Sequence, residues 1–218
     1  MLGKSTKLPF HCRQNYSTLF LHTLHTDVWG PASIPSFDGF WFYFIIIDEY
    51  SHYIWLFPMA HKSDVATIFP MFITQMANQF STSIKIIQSD GGGEFVNIVL
   101  QNYFAAHDII HQHSCPETPE QNGLAERCHR HVVDTRLTLL AHASVPTKYW
   151  TTTFRTVVFL INQLPSSVLK HKSPYEIVFA SSPSLDFLRV FGCACYPLRL
   201  SRSSLKGTWS ITMVYVQD

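Results

Sequence analysis

The chain has 218 residues, 46% hydrophobic and 14% charged, a balance that can build a packed core and excludes a disordered chain. Its longest purely apolar run, Phe40 to Ile47, falls far short of the ~20 residues a membrane-spanning helix needs, and no apolar signal region follows Met1, so an intracellular protein with no membrane partner is expected. The net charge of +1 hides a split, 5 Lys and Arg against 11 Asp and Glu up to Glu126 and 11 against 4 after it, which suggests an acidic site facing cations and a basic surface facing a polyanion.

Residues 1–17 carry Lys4, Lys7 and Arg13 with no acid and no clear period, the pattern of a basic linker, so order is expected to begin near Thr18. Leu24 to Trp29 is a short strand candidate. Phe40 to Asp48 and Tyr53 to Met59, aromatic and β-branched, form a hairpin across the polar turn Glu49-Tyr50-Ser51-His52. From Ser63, a plausible N-cap, apolar residues recur at Val65, Ile68, Phe69, Phe72, Ile73, Met76 and Phe80, which is the spacing of an amphipathic helix, with Pro70 expected to kink it.

Ile84 to Ser89 is a further apolar strand, ending in Asp90-Gly91-Gly92-Gly93. After a helical stretch from Asn97 to Ala106, Ile109 to His113 is the next strand. Ser114 to Gln121, with Pro116 and Pro119, is a loop. Asn122 then caps a helix whose apolar stripe is Leu124, Cys128, Val132, Thr135 and Leu139, and another helix runs from about Thr147 to Asn162. Three antiparallel strands followed by alternating strands and helices imply an α/β fold, a mixed five-stranded sheet with helices on both faces. The five cysteines are odd in number and scattered, so reduced thiols are expected, with Cys193 and Cys195 as small core residues.

Three acids stand out by position: Asp27 within the first strand, Asp90 at the carboxyl end of a later one, and Glu126 in the first turn of a helix, with 35 residues between Asp90 and Glu126. Ligands of α/β sheets bind beyond the carboxyl ends of strands, and the glycines after Asp90 allow a backbone or phosphate to come close. Carboxylates are hard oxygen ligands suited to Mg²⁺, which can activate an attacking oxygen and stabilise a leaving one in phosphodiester chemistry. His107, His111, His113 and Cys115 invite a zinc reading, but the strand geometry brings only His111 and His113 to one face, so no zinc site is expected.

Three segments around these acids, His25-Thr26-Asp27-Val28-Trp29-Gly30-Pro31, Ser89 to Phe95 (SDGGGEF) and Thr118 to Arg127 (TPEQNGLAER), resemble the three acidic motifs of copia-type retrotransposon integrases, the D,D-35-E pattern included. Phe44 to Trp55, Pro146 to Pro165, Ser173 to Glu176 and Leu188 to Cys193 are similar as well, and the resemblance extends over roughly Leu2 to Leu200. It implies a ribonuclease H-like catalytic core at 18–185, a family-like extension at 186–200 and an unaligned tail at 201–218. It also implies Asp27, Asp90 and Glu126 as catalytic residues and ligands of Mg²⁺ or Mn²⁺, DNA strand transfer joining element ends to target DNA, a homo-oligomer on DNA and a nuclear setting.

Arg130 lies one turn beyond Glu126 with Arg127 and His129 beside it, so this helix is expected to present cations to a scissile phosphate. Gln121, Asn122 and Lys148 complete the candidate DNA contacts, and the loop Cys115 to Gln121 is expected to close on DNA. The family's upstream zinc module and its continuation after Leu200 have no counterpart here, so a chain truncated at both ends is the expectation. The alternative reading is a folded, catalytically idle remnant that at most binds DNA. Ribonuclease H, which shares the fold, is disfavoured by the Thr118 to Arg127 motif.

Overall fold

The computed structural model describes residues 17–113 and 123–193. A five-stranded sheet has the order β3-β2-β1-β4-β5, formed by β1 (Thr23–Trp29), β2 (Phe42–Asp48), β3 (Ile54–Met59), β4 (Ile86–Ser89) and β5 (Ile110–His113). The first three strands pair antiparallel, as the hairpin and its short turn require. β4 and β5 add in parallel, each entered from a helix. The helices are α1 (Val65–Phe80), α2 (Ile98–Ala106), α3 (Gly123–Ala143), α4 (Trp150–Gln163) and α5 (Pro174–Phe179). None of the helices among the described residues is long and apolar enough to cross a membrane.

Strand alternation divides the core. Phe44 and Ile46 point to one face, where Phe69, Phe72 and Met76 of α1 and Leu100 and Phe104 of α2 cover them. Tyr43, Ile45 and Ile47 point to the other, under Ala125 and Val132 of α3 and Trp150, Phe154 and Val157 of α4. The expected mixed sheet with helices on both faces is therefore present, and β2, between β3 and β1, is nearly all buried.

Several local expectations change. Ser63 is not the N-cap: Lys62–Asp64 form a 3-10 turn, and it is the Asp64 carboxylate that accepts from Ala60 N–H and His61 N–H at 3.0 and 2.9 Å. An acid reaching back to the amides that enter a helix satisfies them more strongly than a hydroxyl. Pro70 lies inside α1, as expected; its carbonyl takes the Thr74 hydroxyl at 2.9 Å and the Tyr103 hydroxyl at 3.3 Å. The fully buried residues of α3 are Ala125, Val132 and Leu140, and Leu124, Cys128 and Leu139 of the expected stripe pack against the same cluster, so the stripe is present but widened by small Ala125. The Thr147 start is a separate 3-10 turn, Thr147–Tyr149. α5 begins with a capping box, the Ser173 hydroxyl accepting from Glu176 N–H and Glu176 accepting from Ser173 N–H.

The first residue of the edge strand β3 is paired by a side chain. Asn162 of α4, 3% exposed, accepts from Ile54 N–H at 2.9 Å and donates Nδ2–H to the Ile54 carbonyl at 2.8 Å, so the amide completes a ladder that has no further strand. Asn162→Ala is expected to strand a buried donor and acceptor at a cost of about 3 kcal/mol. Urea unfolding checks this; a loss under about 1 kcal/mol would mean that water substitutes for the amide.

Candidate functional site

Register decides where the acids meet. β1 and β4 run parallel with His25 opposite Gln88, and two residues further on come Asp27, still in β1, and Asp90, just beyond the end of β4. Asp27 stands opposite Ile45 of β2, whose side chain faces α3 and α4, so Asp27 shares that face. The first turn of α3 carries Glu126.

Asp27 is half-buried; one of its oxygens, Oδ1, accepts its neighbour Val28 N–H at 2.8 Å. Its carboxyl is pushed up to about 6, first by desolvation, then by the charge of Asp90, with smaller contributions from Glu126 and Glu94; the Val28 hydrogen bond opposes them. A carboxyl raised by three other acids marks a concentration of negative charge. The structure thus brings Asp27, Asp90 and Glu126 into one electrostatic neighbourhood. The tighter convergence into a ready metal cage is not seen: among the described residues no three His, Cys, Asp or Glu side chains form such a group. Glu126 and Asp90 are both exposed, and like charges with freedom to separate do so.

Two features support Asp90. Its Oδ1 accepts Gly92 N–H at 3.2 Å, folding the carboxylate over the glycine turn. Behind it, the Ser89 hydroxyl donates to the Asp90 carbonyl at 2.7 Å and lies 2.9 Å from His111 Nε2 on β5, so the Nε2–H of a neutral imidazole donates to Ser89. Burial and the neighbouring His113 hold His111 down at about 4, which keeps it in that neutral form. The rings of His111 and His113 are 4.0 Å apart, on one face as the strand geometry requires; Cys115 lies outside the described residues.

A fourth acid, Glu94, was not singled out by sequence reasoning. A side chain beginning at Gly92 would stand 2.9 Å from Glu94 Oε2 and 3.0 Å from Asp90 Oδ1, so both carboxylates face this one glycine and any larger residue would press on both. The only sequence signal was the short offset of Glu94 from Asp90 within the glycine-rich turn.

Of the expected DNA contacts, Arg127 and Arg130 are exposed on α3. Lys148 is exposed in the 3-10 turn before α4, its ammonium 5.6 Å from the Phe37 ring and 5.3 Å from the Tyr149 ring. Gln121, Asn122 and the loop Cys115 to Gln121 lie outside the described residues. Further back along β1, His25 Nε2 meets Glu49 Oε1 at 3.3 Å in a buried pair. Tyr43, Trp29 and Phe154 pack together close to Asp27, with the Arg136 guanidinium over two of them.

Comparison with known proteins gives this arrangement a family. Residues 21–119 match the integrase core domain. The chain is 47% identical over 197 residues to the retrovirus-related Pol polyprotein from transposon RE1 of Arabidopsis thaliana, covering 90% of this chain and 13% of that protein. It is 29% identical, over 90% of its length, to the Pol polyprotein from transposon TNT 1-94 of Nicotiana tabacum; the chain thus spans only a small part of the Pol polyproteins it matches. Among solved structures, a chain of the simian T-cell lymphotropic virus intasome, in complex with PP2A regulatory subunit B56 gamma, superposes with a TM-score of 0.64 at 16% identity over 92% of this chain and 66% of that one. The HTLV-2 integrase catalytic core domain in complex with magnesium superposes with a TM-score of 0.52 at 17% identity, over 72% of this chain and 95% of that one. The fold is that of retroviral integrase catalytic cores, ribonuclease H-like, and the chain belongs to the integrase core-domain family of copia-type retrotransposon Pol polyproteins.

Proposed function

We propose that this chain carries out metal-dependent DNA strand transfer, with Asp27, Asp90 and Glu126 as catalytic residues and ligands of Mg²⁺ or Mn²⁺. The observation that carries this reading is the half-buried Asp27 carboxyl at the carboxyl end of parallel strands, its pKa raised first by burial and then by the charges of Asp90, Glu126 and Glu94. Its donor set fits a hard divalent cation, because carboxylate oxygens are the ligands Mg²⁺ takes alongside phosphate oxygens and water. The HTLV-2 core, whose fold this chain shares, was solved with magnesium. A divalent ion held there supplies the Lewis acidity that phosphoryl transfer needs.

The chain's own residues do the rest. Val28 N–H fixes one oxygen of Asp27, leaving the second for the site. Gly92 N–H and the Ser89–His111 bond hold Asp90, and Gly91 and Gly93 leave open space beside it, so a DNA strand can approach closely. In the reaction a 3′-hydroxyl attacks a phosphodiester phosphorus: a new P–O bond forms, the bond to the departing 3′-oxygen breaks, and that oxygen leaves with a proton. Arg127 and Arg130 sit on the same helix as Glu126 and Lys148 in the turn before the next, where they contact the DNA backbone. Assembly as a homo-oligomer on DNA and a nuclear setting belong to the same reading.

The test is a disintegration assay on a branched DNA substrate with Mg²⁺ or Mn²⁺, a reaction that asks for geometry and metal and not for paired ends. An Asp90-dependent product supports the reading; a folded protein that gives none with either metal would leave the idle, DNA-binding remnant. DNA affinity is also expected to fall steeply with salt. Replacing Arg127, Arg130 and Lys148 by Ala together is expected to shallow the plot of log affinity against log salt by roughly 2 to 3. An unchanged slope in fluorescence anisotropy would place the DNA surface elsewhere.

A further inference from the structure

The acidic site has a cation on its other side. Lys62, in the 3-10 turn that leads into α1, sets its ammonium 3.0 Å from Glu94 Oε1, although the two residues are 32 apart in sequence. The Lys62 side chain is 45% exposed and that of Glu94 only 9%, so the anion is the inner member of the pair and the cation the outer. Glu94 Oε2 faces Gly92, as Asp90 Oδ1 does, which places the pair directly against the Asp90 turn.

Both ends of the pair are held. Phe95, next to Glu94, is fully buried against Phe44, with ring centroids 5.9 Å apart. Phe95 N–H bonds to the Gly92 carbonyl at 3.0 Å, and Asn97 Nδ2–H bonds to the Glu94 carbonyl at 2.8 Å. On the other side Asp64 fixes the turn that carries Lys62 through two backbone amides. Lys62 balances the charge of the largely buried Glu94 carboxylate, while its own half-exposed ammonium keeps access to solvent. What the pair achieves is a fixed ammonium at the rim of a cluster of carboxylates, one donor turned to Glu94 and two left for solvent or a ligand. A phosphodiester entering the site meets repulsion from those acids. The exposed arginines of α3, Arg127 and Arg130, offset it from the helix side, and Lys62 stands on the side of the Asp90 turn.

We propose that Lys62 contacts a backbone phosphate of the DNA strand that enters the acidic site, and that Glu94 is the positioning residue that holds it there. This rests on the strand-transfer reading above. The test compares the unmodified chain with Lys62→Met, Glu94→Gln and the exchanged pair Lys62→Glu/Glu94→Lys, by anisotropy on a branched DNA oligonucleotide without added metal, and by the disintegration assay. Lys62→Met is expected to shallow the salt slope by about 1, while circular dichroism stays that of the unmodified chain and Tm falls, because the largely buried Glu94 carboxylate loses its cation. Glu94→Gln is expected to reduce product while leaving a folded protein.

The exchanged pair separates positioning from mere structure. It keeps the ion pair but turns an anion outward, so it is expected to match Lys62→Met or fall below it. An unchanged slope in Lys62→Met, or an exchanged pair that behaves as the unmodified chain, would overturn the proposal while leaving the strand-transfer reading standing. If the unmodified chain binds no DNA, the strand-transfer reading falls and this inference with it.

Discussion

Asp27→Asn is expected to stabilise the metal-free protein at pH 7.5, by up to about 3 kcal/mol, because it removes a charge that the fold tolerates poorly. The carboxyl is raised from 3.8 to about 6, and each tenfold gain in proton affinity on folding corresponds to ~1.4 kcal/mol. Between pH 3.8 and about 6 the folded state keeps a proton that the unfolded chain releases, so the Asp27 contribution to stability is full below pH 3.8 and is lost as pH rises through 6. Asn keeps the oxygen that accepts Val28 N–H and carries no charge at any pH. The difference between Asp27→Asn and the unmodified protein should therefore be near zero at pH 3.5 and reach its maximum above pH 7, equivalent to a rise in Tm of roughly 6 to 12 °C for a domain of this size. Thermal unfolding in chelator across this range checks it. A variant no more stable than the parent at pH 7.5 would mean that Asp27 is well solvated and lacks the charge crowding described. Saturating Mg²⁺ should narrow the gap, since only the parent offers a carboxylate to bind it.

The second large effect is on activity. Asp90→Asn, and separately Glu126→Gln, are each expected to lower strand transfer at least about 10³-fold, since loss of a ligand removes several kcal/mol of transition-state stabilisation. Far-UV circular dichroism should not change, because both side chains are exposed and neither packs in the core. Product formation on the branched substrate, measured as initial rate, is the check. Activity retained within tenfold in Glu126→Gln would assign the third ligand elsewhere, and Glu94 stands ready as the alternative acid beside Gly92.

The parts of the fold legible in the sequence were those that one periodicity determines. β2 lies in the unbroken aromatic and β-branched run from Phe40 to Ile47, cut off at Asp48, and a strand buried on both faces needs that composition. Asp27 and Asp90 were singled out by their places within and at the end of apolar strands and by the resemblance of the motifs around them, and parallel register carries those two places side by side. What stayed hidden depends on residues far apart. Nothing in the neighbourhood of Glu94 announces Lys62, and nothing near Asn162 announces Ile54, 108 residues away. The Ser63 cap failed because two acceptors stood side by side and the stronger one, Asp64, took the amides. The α3 stripe held at Leu124, Cys128, Val132 and Leu139 but missed the fully buried Ala125, whose small side chain gives no apolar signal of its own. His111 was set aside as a zinc ligand in the sequence and given no other role, whereas in space its ring supports Ser89 and through it Asp90.

The most direct measurement is a crystal structure of the chain soaked in Mn²⁺, with anomalous differences recorded at the manganese edge. The expected result is one or two peaks between the Asp27 and Asp90 carboxylates, with Glu126 turned toward them and the peaks absent in Asp90→Asn. No peak there at saturating Mn²⁺, or a peak confined to His111 and His113, would contradict the assignment of Asp27, Asp90 and Glu126 as the metal-binding heart of this integrase core.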